Sequence, residues 1–347
     1  MTLVAKKQNG LALLSVLVLT FLFSGCAREP EFPSLSGETF GTTWSLSYRS
    51  PDSGVDAQAI EERLLEVFAL INVSMNNYDP ESTIGTFNRL PATETIVVDW
   101  DFAYVLTEAL TIGALTDGAY DVTVPPLMAA WGFAPGGTPT VPDDAAVERA
   151  RSLVGADKLV WSPTRRELGK TDDQVGIDLA SIAKGYAVDL GADALEELGV
   201  TDYLFEIGGE VRVGGQSPRG DDWRIAVERP DGTVRGVQAA LSVSDIGVAT
   251  SGDYRNFFIL EGQRYSHLID PRSGRPIRHD VVSVTVLHPS TMMADAWATA
   301  LIVLGSERGL ALAESRGLAV YMVSRDGDDL VDVWTGPLVK YLLPQPE

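Results

Sequence analysis

The predicted helices and strands of this chain are mixed and do not alternate regularly. Apolar residues at helical spacing predict helices over 55–73, 99–115, 143–153, 181–198, 291–304 and 308–316. Short runs rich in β-branched and aromatic residues predict strands over 39–48, near Leu159 and Val175, several times between 203 and 260, over 281–287 and over 318–323. This order favours an α+β fold, with mixed, largely antiparallel sheets and packed helices, over a doubly wound parallel sheet.

The N-terminal segment has the composition of a secretory signal. A basic start at Lys6 and Lys7 precedes an apolar run over 11–23, and small residues stand directly before Cys26. The run is too short to span a membrane comfortably, since a spanning helix needs about 20 residues. The pattern resembles a bacterial lipoprotein signal peptide over 1–25, which would leave Cys26 lipidated at the new N-terminus. A plain secreted protein with an incidental cysteine is the alternative.

The rest of the chain divides into a short tether and one large folded body. The tether is predicted over 26–36, which includes two prolines, and the body over 37–340. Cys26 is the only cysteine, so no disulfide can form within the mature chain. The formal net charge of −21 argues against a nucleic-acid partner. A bound phosphate would therefore need local cations, helix N-termini or a metal ion to neutralise it.

The predicted helix over 291–304 carries a single charged residue, Asp295, in an otherwise apolar or small-residue segment. Thr299 lies one turn further along the same face. A carboxylate and a hydroxyl in this arrangement are hard oxygen ligands suited to Mg²⁺, which takes its other ligands from phosphate and water. Alternatively, Asp295 only interacts favourably with the positive end of its helix.

A second charged segment runs from Ile177 to Tyr186. Asp178 ends a predicted strand, Ser181 is a candidate helix cap, and Lys184 falls in the first turn of the next helix. Unpaired N–H groups next to a lysine form an anion site. The alternative is that Asp178 caps the helix and Lys184 is a solvated lysine.

Other segments add aromatic, cationic and basic groups. The 120–133 segment could stack on a heterocycle or simply pack in the core. Arg255 could pair with phosphate, and His267, three residues before Asp270, could be an oriented general base or a structural histidine. The Gly-Gly turn before Glu210 lacks the further glycines of a dinucleotide fingerprint. The absence of a Gly-x-Ser-x-Gly elbow and of Cys/His metal spacing argues against serine hydrolases and zinc sites.

Taken together, these segments resemble the FAD:protein FMN transferase family, also called the ApbE family. The resemblance extends from Gly41 to about Val323, and several independent motifs occur in the family's order. The motifs are Gly41-Thr-Thr-Trp44, Tyr78-Asp-x-x-Ser82, the 120–133 segment, Asp178-Leu-Ala-Ser-Ile-Ala-Lys-Gly-Tyr186, Gly208-Gly-Glu210, Ala249–Asn256, Ser266-His-Leu-Ile-Asp-Pro271 and Ala294-Asp-Ala-Trp-Ala-Thr299.

The resemblance implies an ApbE-like fold and a Mg²⁺-dependent enzyme. Such an enzyme cleaves the diphosphate of FAD, attaches FMN through a phosphoester to a threonine or serine of a target protein, and releases AMP. His267 would be the base that accepts the proton of the target hydroxyl. The metal ligands would be Asp295, Thr299 and the backbone carbonyl of Ser181. The nucleotide-binding residues would be Phe40, Tyr78, Ala119, Tyr120, Asp121, Asp178, Lys184 and Ile269.

The resemblance also implies a partner and a location. The target would be a flavoprotein subunit of a membrane redox complex, and the lipid anchor would hold the enzyme at the inner membrane on its periplasmic side. Two other functions fit the same residues. One is a periplasmic FAD pyrophosphatase, in which water replaces the target hydroxyl to give FMN and AMP. The other is a flavin-binding lipoprotein without turnover.

Overall fold

The computed structural model describes residues 32–134, 136–230, 236–254, 256–327 and 329–344. The predicted signal peptide, Cys26, most of the predicted tether and Arg255 lie outside the described residues. The helices are α1 (Ala57–Met75), α2 (Thr83–Arg89), α3 (Trp100–Leu115), α4 (Pro125–Ala130), α5 (Asp144–Arg151), α6 (Ala183–Glu197), α7 (Thr291–Leu304) and α8 (Ser306–Arg316), with short 3₁₀ turns at Ala156–Lys158 and Gly336–Tyr341.

Eight of the 17 strands in the described residues form one large sheet. The strands are β1 (Ser34–Thr39), β2 (Thr42–Tyr48), β3 (Thr95–Val97), β4 (Leu159–Ser162), β5 (Glu167–Lys170), β6 (Tyr203–Ile207), β7 (Glu210–Gly214), β8 (Trp223–Glu228), β9 (Val237–Val243), β10 (Ile246–Gly252), β11 (Phe257–Leu260), β12 (Gln263–Ser266), β13 (Ile269–Asp270), β14 (Arg275–Pro276), β15 (Val281–His288), β16 (Ala319–Asp326) and β17 (Asp329–Trp334). The large sheet has the order β1-β2-β6-β7-β10-β15-β16-β17. Its neighbouring strands all pair antiparallel, which confirms the predicted α+β class.

The structure differs from the prediction in three places. Strand β1 begins at Ser34, inside the predicted tether, because residues 34–39 pair with β2 through a tight turn at Phe40 and Gly41. The predicted strand near Val175 is irregular; the partner of β4 is β5, which the sequence analysis missed. The chain also continues past Val323 into β17, at the edge of the large sheet.

The two faces of the large sheet are buried by different partners. Helices α1, α3, α6 and α7 cover one face and share its apolar core. The β8–β9 hairpin covers the other face, where its apolar side chains pack against β7, β10, β15 and β16. Alternate residues of one strand therefore point to different cores, as a two-sided antiparallel sheet requires.

Helices α6 and α7 cross at very short range. A Cβ atom added to Gly185 of α6 would lie 2.5 Å from the carbonyl oxygen of Thr291 and 2.7 Å from the Cα of Met292. A side chain at this position would thus collide with backbone, which cannot rotate away. The glycine allows the first turns of the two helices to lie against each other.

A smaller cluster joins the 120–133 segment to the residues that flank His267. The indole Nε1 of Trp131 donates to the carbonyl oxygen of Gly274 at 2.9 Å, and the ring of Trp131 lies 5.7 Å from that of Tyr265. Ile269 is buried in the same cluster.

No helix within the described ranges is long and apolar enough to cross a membrane.

Candidate active site

The site is centred on an ion pair at the start of α6. The Nζ of Lys184 lies 2.6 Å from Oε1 of Glu210, whose side chain is only 5 % exposed. Burial alone would lower the pKa of Lys184, but the negative charges of Asp295 and Glu210 raise it overall. Lys184 is therefore a fixed cation in a weakly solvated place.

Asp295 of α7 is buried at the same crossing. The backbone N–H of Gly185 donates to its Oδ2 at 3.1 Å. Burial raises the pKa of Asp295, and the charge of Lys184 opposes that rise. The side chain is 4 % exposed, so its charge is not satisfied by water. Ser290 caps α7, since its side chain accepts from the N–H of Met293. The alternative, that Asp295 only interacts favourably with the positive end of its helix, includes this cap; the structure adds that Asp295 is buried and accepts a hydrogen bond from another helix.

Tyr120 links the two charged segments. Ser181 donates from its hydroxyl to the phenolic oxygen of buried Tyr120 at 3.0 Å. Burial raises the pKa of Tyr120, and the nearby charges of Asp295 and Asp178 raise it further. Ser181 does not cap α6 as the sequence suggested; Ile182 holds that position without a side-chain hydrogen bond.

Asp178 lies in an irregular segment rather than at the end of a strand. Its Oδ1 accepts the backbone N–H of Ala180 at 2.7 Å and the side-chain amide of Asn77. Burial raises the pKa of Asp178, while these two hydrogen bonds lower it. Its backbone N–H donates to the carbonyl oxygen of Val122, which ties this segment to the 120–133 segment.

The other predicted nucleotide-binding residues differ in exposure. Ala119 is buried, and Asp121 accepts both the N–H and the hydroxyl of Thr123. Tyr78 projects from the turn after α1 and is 77 % exposed, so a large aromatic surface is free for stacking. The remaining two are Phe40, half-buried at the β1–β2 turn with its ring centroid 5.8 Å from that of Phe68, and Ile269, buried in the same cluster as Trp131.

Strand β10 connects the α7 residues to the predicted base. The hydroxyls of Thr299 and Ser251 lie 3.1 Å apart. Two residues further along, Asp253 forms an ion pair with Arg264 at 2.5 Å, and its Oδ1 is buried without a hydrogen-bond partner among the described residues. The charge of Asp253 also acts on His267.

His267 is held in one tautomer. Its Nδ1 lies 2.9 Å from the carbonyl oxygen of Asn256, which also accepts the backbone N–H of His267 at 3.1 Å. Because a carbonyl oxygen can only accept, Nδ1 carries the proton and Nε2 keeps its lone pair. Burial lowers the pKa of His267 below its usual 6.5, against the opposing effect of the Asn256 hydrogen bond. His267 is thus neutral at pH 7 and can accept a proton.

The structure joins Asp178, Ser181, Lys184, Asp295 and Tyr120 by hydrogen bonds or electrostatic interaction. His267 belongs to a separate set of contacts around Asn256 and Asp253. Glu210 was missed as a site residue, although an acid directly after a Gly-Gly turn, in a strand with apolar neighbours, is a usable signal.

The oxygen atoms that the sequence analysis predicted as metal ligands are of the chemical kind that suits a magnesium ion. Asp295 contributes a buried carboxylate, Thr299 a hydroxyl on the same helix face, and Ser181 a backbone carbonyl in the segment that contacts Tyr120. The described residues contain no group of three His, Cys, Asp or Glu side chains placed to hold a metal. A site with one carboxylate and neutral oxygens suits Mg²⁺ that takes further ligands from phosphate and water, and not zinc.

Comparison with known proteins identifies the family. The chain belongs to the ApbE family, whose profile matches residues 40–322. This range begins at Phe40 and includes the α6–α7 crossing and the segment around His267.

Relatives that align with this chain over most of their own length carry a functional name. The FAD:protein FMN transferase of Vibrio cholerae is 40 % identical over 316 residues, which is 91 % of this chain and 94 % of that protein. The FAD:protein FMN transferase of Haemophilus influenzae is 38 % identical over 314 residues, covering 89 % and 91 %. The solved flavin transferase ApbE from Vibrio cholerae has a TM-score of 0.84 at 38 % identity, with 90 % of this chain and all of that chain covered.

Proposed function

We propose that this chain transfers FMN from FAD to a threonine or serine hydroxyl of an acceptor protein, with Mg²⁺ bound and AMP released. The observation that carries the proposal is the Lys184 ammonium group at the α6–α7 crossing, which forms an ion pair with buried Glu210 and whose pKa is raised by the nearby charge of Asp295. A cation and hard oxygens in a weakly solvated place suit a diphosphate. The names of full-length relatives support the same reaction.

The residues divide the work of phosphoryl-type transfer, which depends on positioning and charge neutralisation. Lys184 contacts the diphosphate, and exposed Tyr78 stacks on an aromatic part of the nucleotide. Asp295, Thr299 and the Ser181 carbonyl would hold Mg²⁺, which when bound stabilises negative charge on the phosphates. Asp178, fixed by Asn77 and Ala180, binds the nucleotide near Tyr120.

His267 activates the acceptor. The hydroxyl oxygen forms a bond to the FMN phosphorus, and the bond from that phosphorus to the oxygen bridging to AMP breaks. The leaving AMP keeps the bond's electron pair. The hydroxyl proton moves to Nε2 of His267, which is free because Nδ1 is held by Asn256. The products are AMP and a phosphoester-linked flavoprotein.

The direct test is mass spectrometry of an acceptor flavoprotein subunit after incubation with this protein, FAD and Mg²⁺. The expected result is an acceptor heavier by one FMN moiety, with stoichiometric AMP. His267→Ala should keep FAD binding but slow transfer by about 10²–10⁴-fold. Free FMN and AMP without labelled acceptor would instead identify a pyrophosphatase, and intact FAD would identify a binding protein.

We also propose that the chain is a lipoprotein, anchored through Cys26 to the inner membrane with its body in the periplasm, and that its acceptor belongs to a membrane redox complex. The support is the sequence of residues 1–26. Metabolic labelling with palmitate and membrane fractionation test it. Cys26→Ser should lose both the label and the membrane association, whereas a membrane-bound, labelled variant would refute the anchor.

A further inference from the structure

Glu210 occupies a place that the proposed chemistry has not used. It is the first residue of β7, directly after the turn in which Gly208 and Gly209 adopt φ values of 62° and 107°. Val213, three residues on, packs in the core beneath the β8–β9 hairpin. Because strand side chains alternate, Glu210 lies on the opposite face, which the helices cover.

Only one of the two carboxylate oxygens of Glu210 has a partner among the described residues. Oε1 contacts Lys184, but Oε2 is buried and has no hydrogen-bond partner among the described residues. The whole residue is 4 % exposed. Burying a carboxylate costs desolvation free energy. A single ion pair that leaves one carboxylate oxygen without a hydrogen bond offsets only part of that cost. An arrangement that costs stability points to a use in ligand binding.

Lys184 needs a partner that the ligand does not take away. Its ammonium group is a point charge on a flexible four-carbon stem, so it can occupy many positions unless something holds it. Asp295 is also near, but in the proposed function Asp295 binds the metal ion. Glu210 is then the carboxylate left to fix the ammonium group.

We propose that Glu210 is a positioning residue that holds the Lys184 ammonium group against the diphosphate of FAD. This inference rests on the proposed function, because it assigns Lys184 to the diphosphate. Glu210 acts through Lys184 and takes no part in bond formation. Its removal should therefore weaken FAD binding without changing how the acceptor protein is recognised.

The test is a double-mutant cycle with Glu210→Gln, Lys184→Met and the double variant, read as the Kd for FAD from flavin fluorescence with Mg²⁺ and no acceptor. Glu210→Gln should weaken FAD binding by about 10- to 100-fold, the range for a hydrogen bond to a charged group. The double variant should bind FAD within about twofold of Lys184→Met alone, because coupled residues are not additive. The KM for FAD should rise while the KM for the acceptor stays constant.

Glu206→Gln is the matched control. Glu206 lies on the same hairpin and accepts the N–H of Gly209, which a glutamine oxygen can also accept. Glu206 is half-buried and its charge also acts on Lys184, so this variant removes a nearby negative charge while the ion pair between Glu210 and Lys184 stays intact. It should bind FAD within about twofold of wild type, because the ion pair with Glu210 is what fixes the ammonium group. Glu210→Asp, which keeps the charge on a shorter stem, should bind FAD more tightly than Glu210→Gln.

Two results would overturn the inference: wild-type FAD affinity in Glu210→Gln, or losses that multiply in the double variant. If Glu210→Gln fails to fold, Glu210→Ala replaces it in the cycle because it also removes the carboxylate, and wild-type FAD affinity in that variant would overturn the inference. Transfer by wild-type protein is measured in parallel. Wild-type protein that binds FAD but does not transfer FMN would refute the proposed function. The double-mutant cycle would still test whether Glu210 positions Lys184 for FAD binding.

Discussion

Replacing Gly185 by alanine should separate α6 from α7 at the place where the site is built. The added methyl carbon would lie 2.5 Å from the Thr291 carbonyl oxygen and 2.7 Å from the Met292 Cα. Both are helix backbone atoms, so the helices must move apart. Such a movement also lengthens the 3.1 Å hydrogen bond from the Gly185 N–H to Asp295.

The expected cost follows from overpacking of a close contact. Inserting a methyl group into a filled interior costs about 1–3 kcal/mol, which corresponds to a decrease in Tm of about 2–10 °C for a domain of this size. The loss of the Asp295 hydrogen bond should also weaken Mg²⁺-dependent FAD binding by about 10-fold or more. Thermal unfolding by circular dichroism and FAD titration by flavin fluorescence measure the two effects.

Gly191 provides a control in the same helix. A methyl group there would collide with the ring of Phe205, on the core side of α6 and away from Asp295. Gly191→Ala should therefore lower the Tm but leave the affinity of the folded protein for FAD near that of wild type. Gly185→Ala with wild-type Tm and wild-type FAD affinity would refute the argument from close helix contact.

Three further outcomes follow from the site electrostatics. Because burial lowers the pKa of His267, transfer should lose activity on the acid side with an apparent pKa below 6.5, and a midpoint above 6.5 in the kcat/KM profile would contradict this. Burial raises the pKa of Asp295, so the ionised carboxylate lowers the stability of the folded protein at a pH above the ordinary pKa of an aspartate. Asp295→Asn should therefore keep or raise the Tm at pH 7 without metal. The same variant should lose the Tm increase on Mg²⁺ addition and the transfer activity. Asn77→Asp places a second carboxylate against Asp178, so the folded-state pKa of the pair rises and the Tm should fall more at pH 8 than at pH 5. Asn77→Ala removes only the hydrogen bond that lowers the pKa of Asp178, so it should show the same dependence on pH more weakly.

Much of the fold could be predicted because strong periodic signals are local. The predicted helix over 291–304 matches α7, and the predicted helix over 143–153 contains α5, which Asp143 caps by accepting the N–H of Ala146. The pairing of strands could be predicted less well from the sequence than the helices. The predicted strand over 39–48 begins with the turn between β1 and β2, where Phe40 adopts φ 51° next to Gly41, and only 42–48 form β2. A positive φ at a non-glycine residue has no clear signal in the sequence.

The candidate site residues were easier to identify from the sequence than the residues that contact them. Asp295 and Lys184 were conspicuous as charges in apolar or small-residue segments. Lys184 also has a partner within the protein: Glu210 is 26 positions away and reaches it only through the packing of α6 on β7. Asn77, which contacts Asp178 across 101 positions, could not be found from local pattern either. Long-range contacts of this kind depend on tertiary structure.

The position of Asp295 beside Lys184 depends on two contacts between α6 and α7 that have the same spacing. Gly185 of α6 donates to Asp295, and four residues later Asp189 accepts from the N–H groups of Thr291 and Met292 at the start of α7. Residues four apart on one helix thus meet residues about four apart on the other. A one-turn slip of either helix would break both contacts at once and move the buried carboxylate away from the lysine. The helix crossing therefore fixes the register of the site before any ligand binds, which is the preorganisation that charge stabilisation in phosphoryl-type transfer requires.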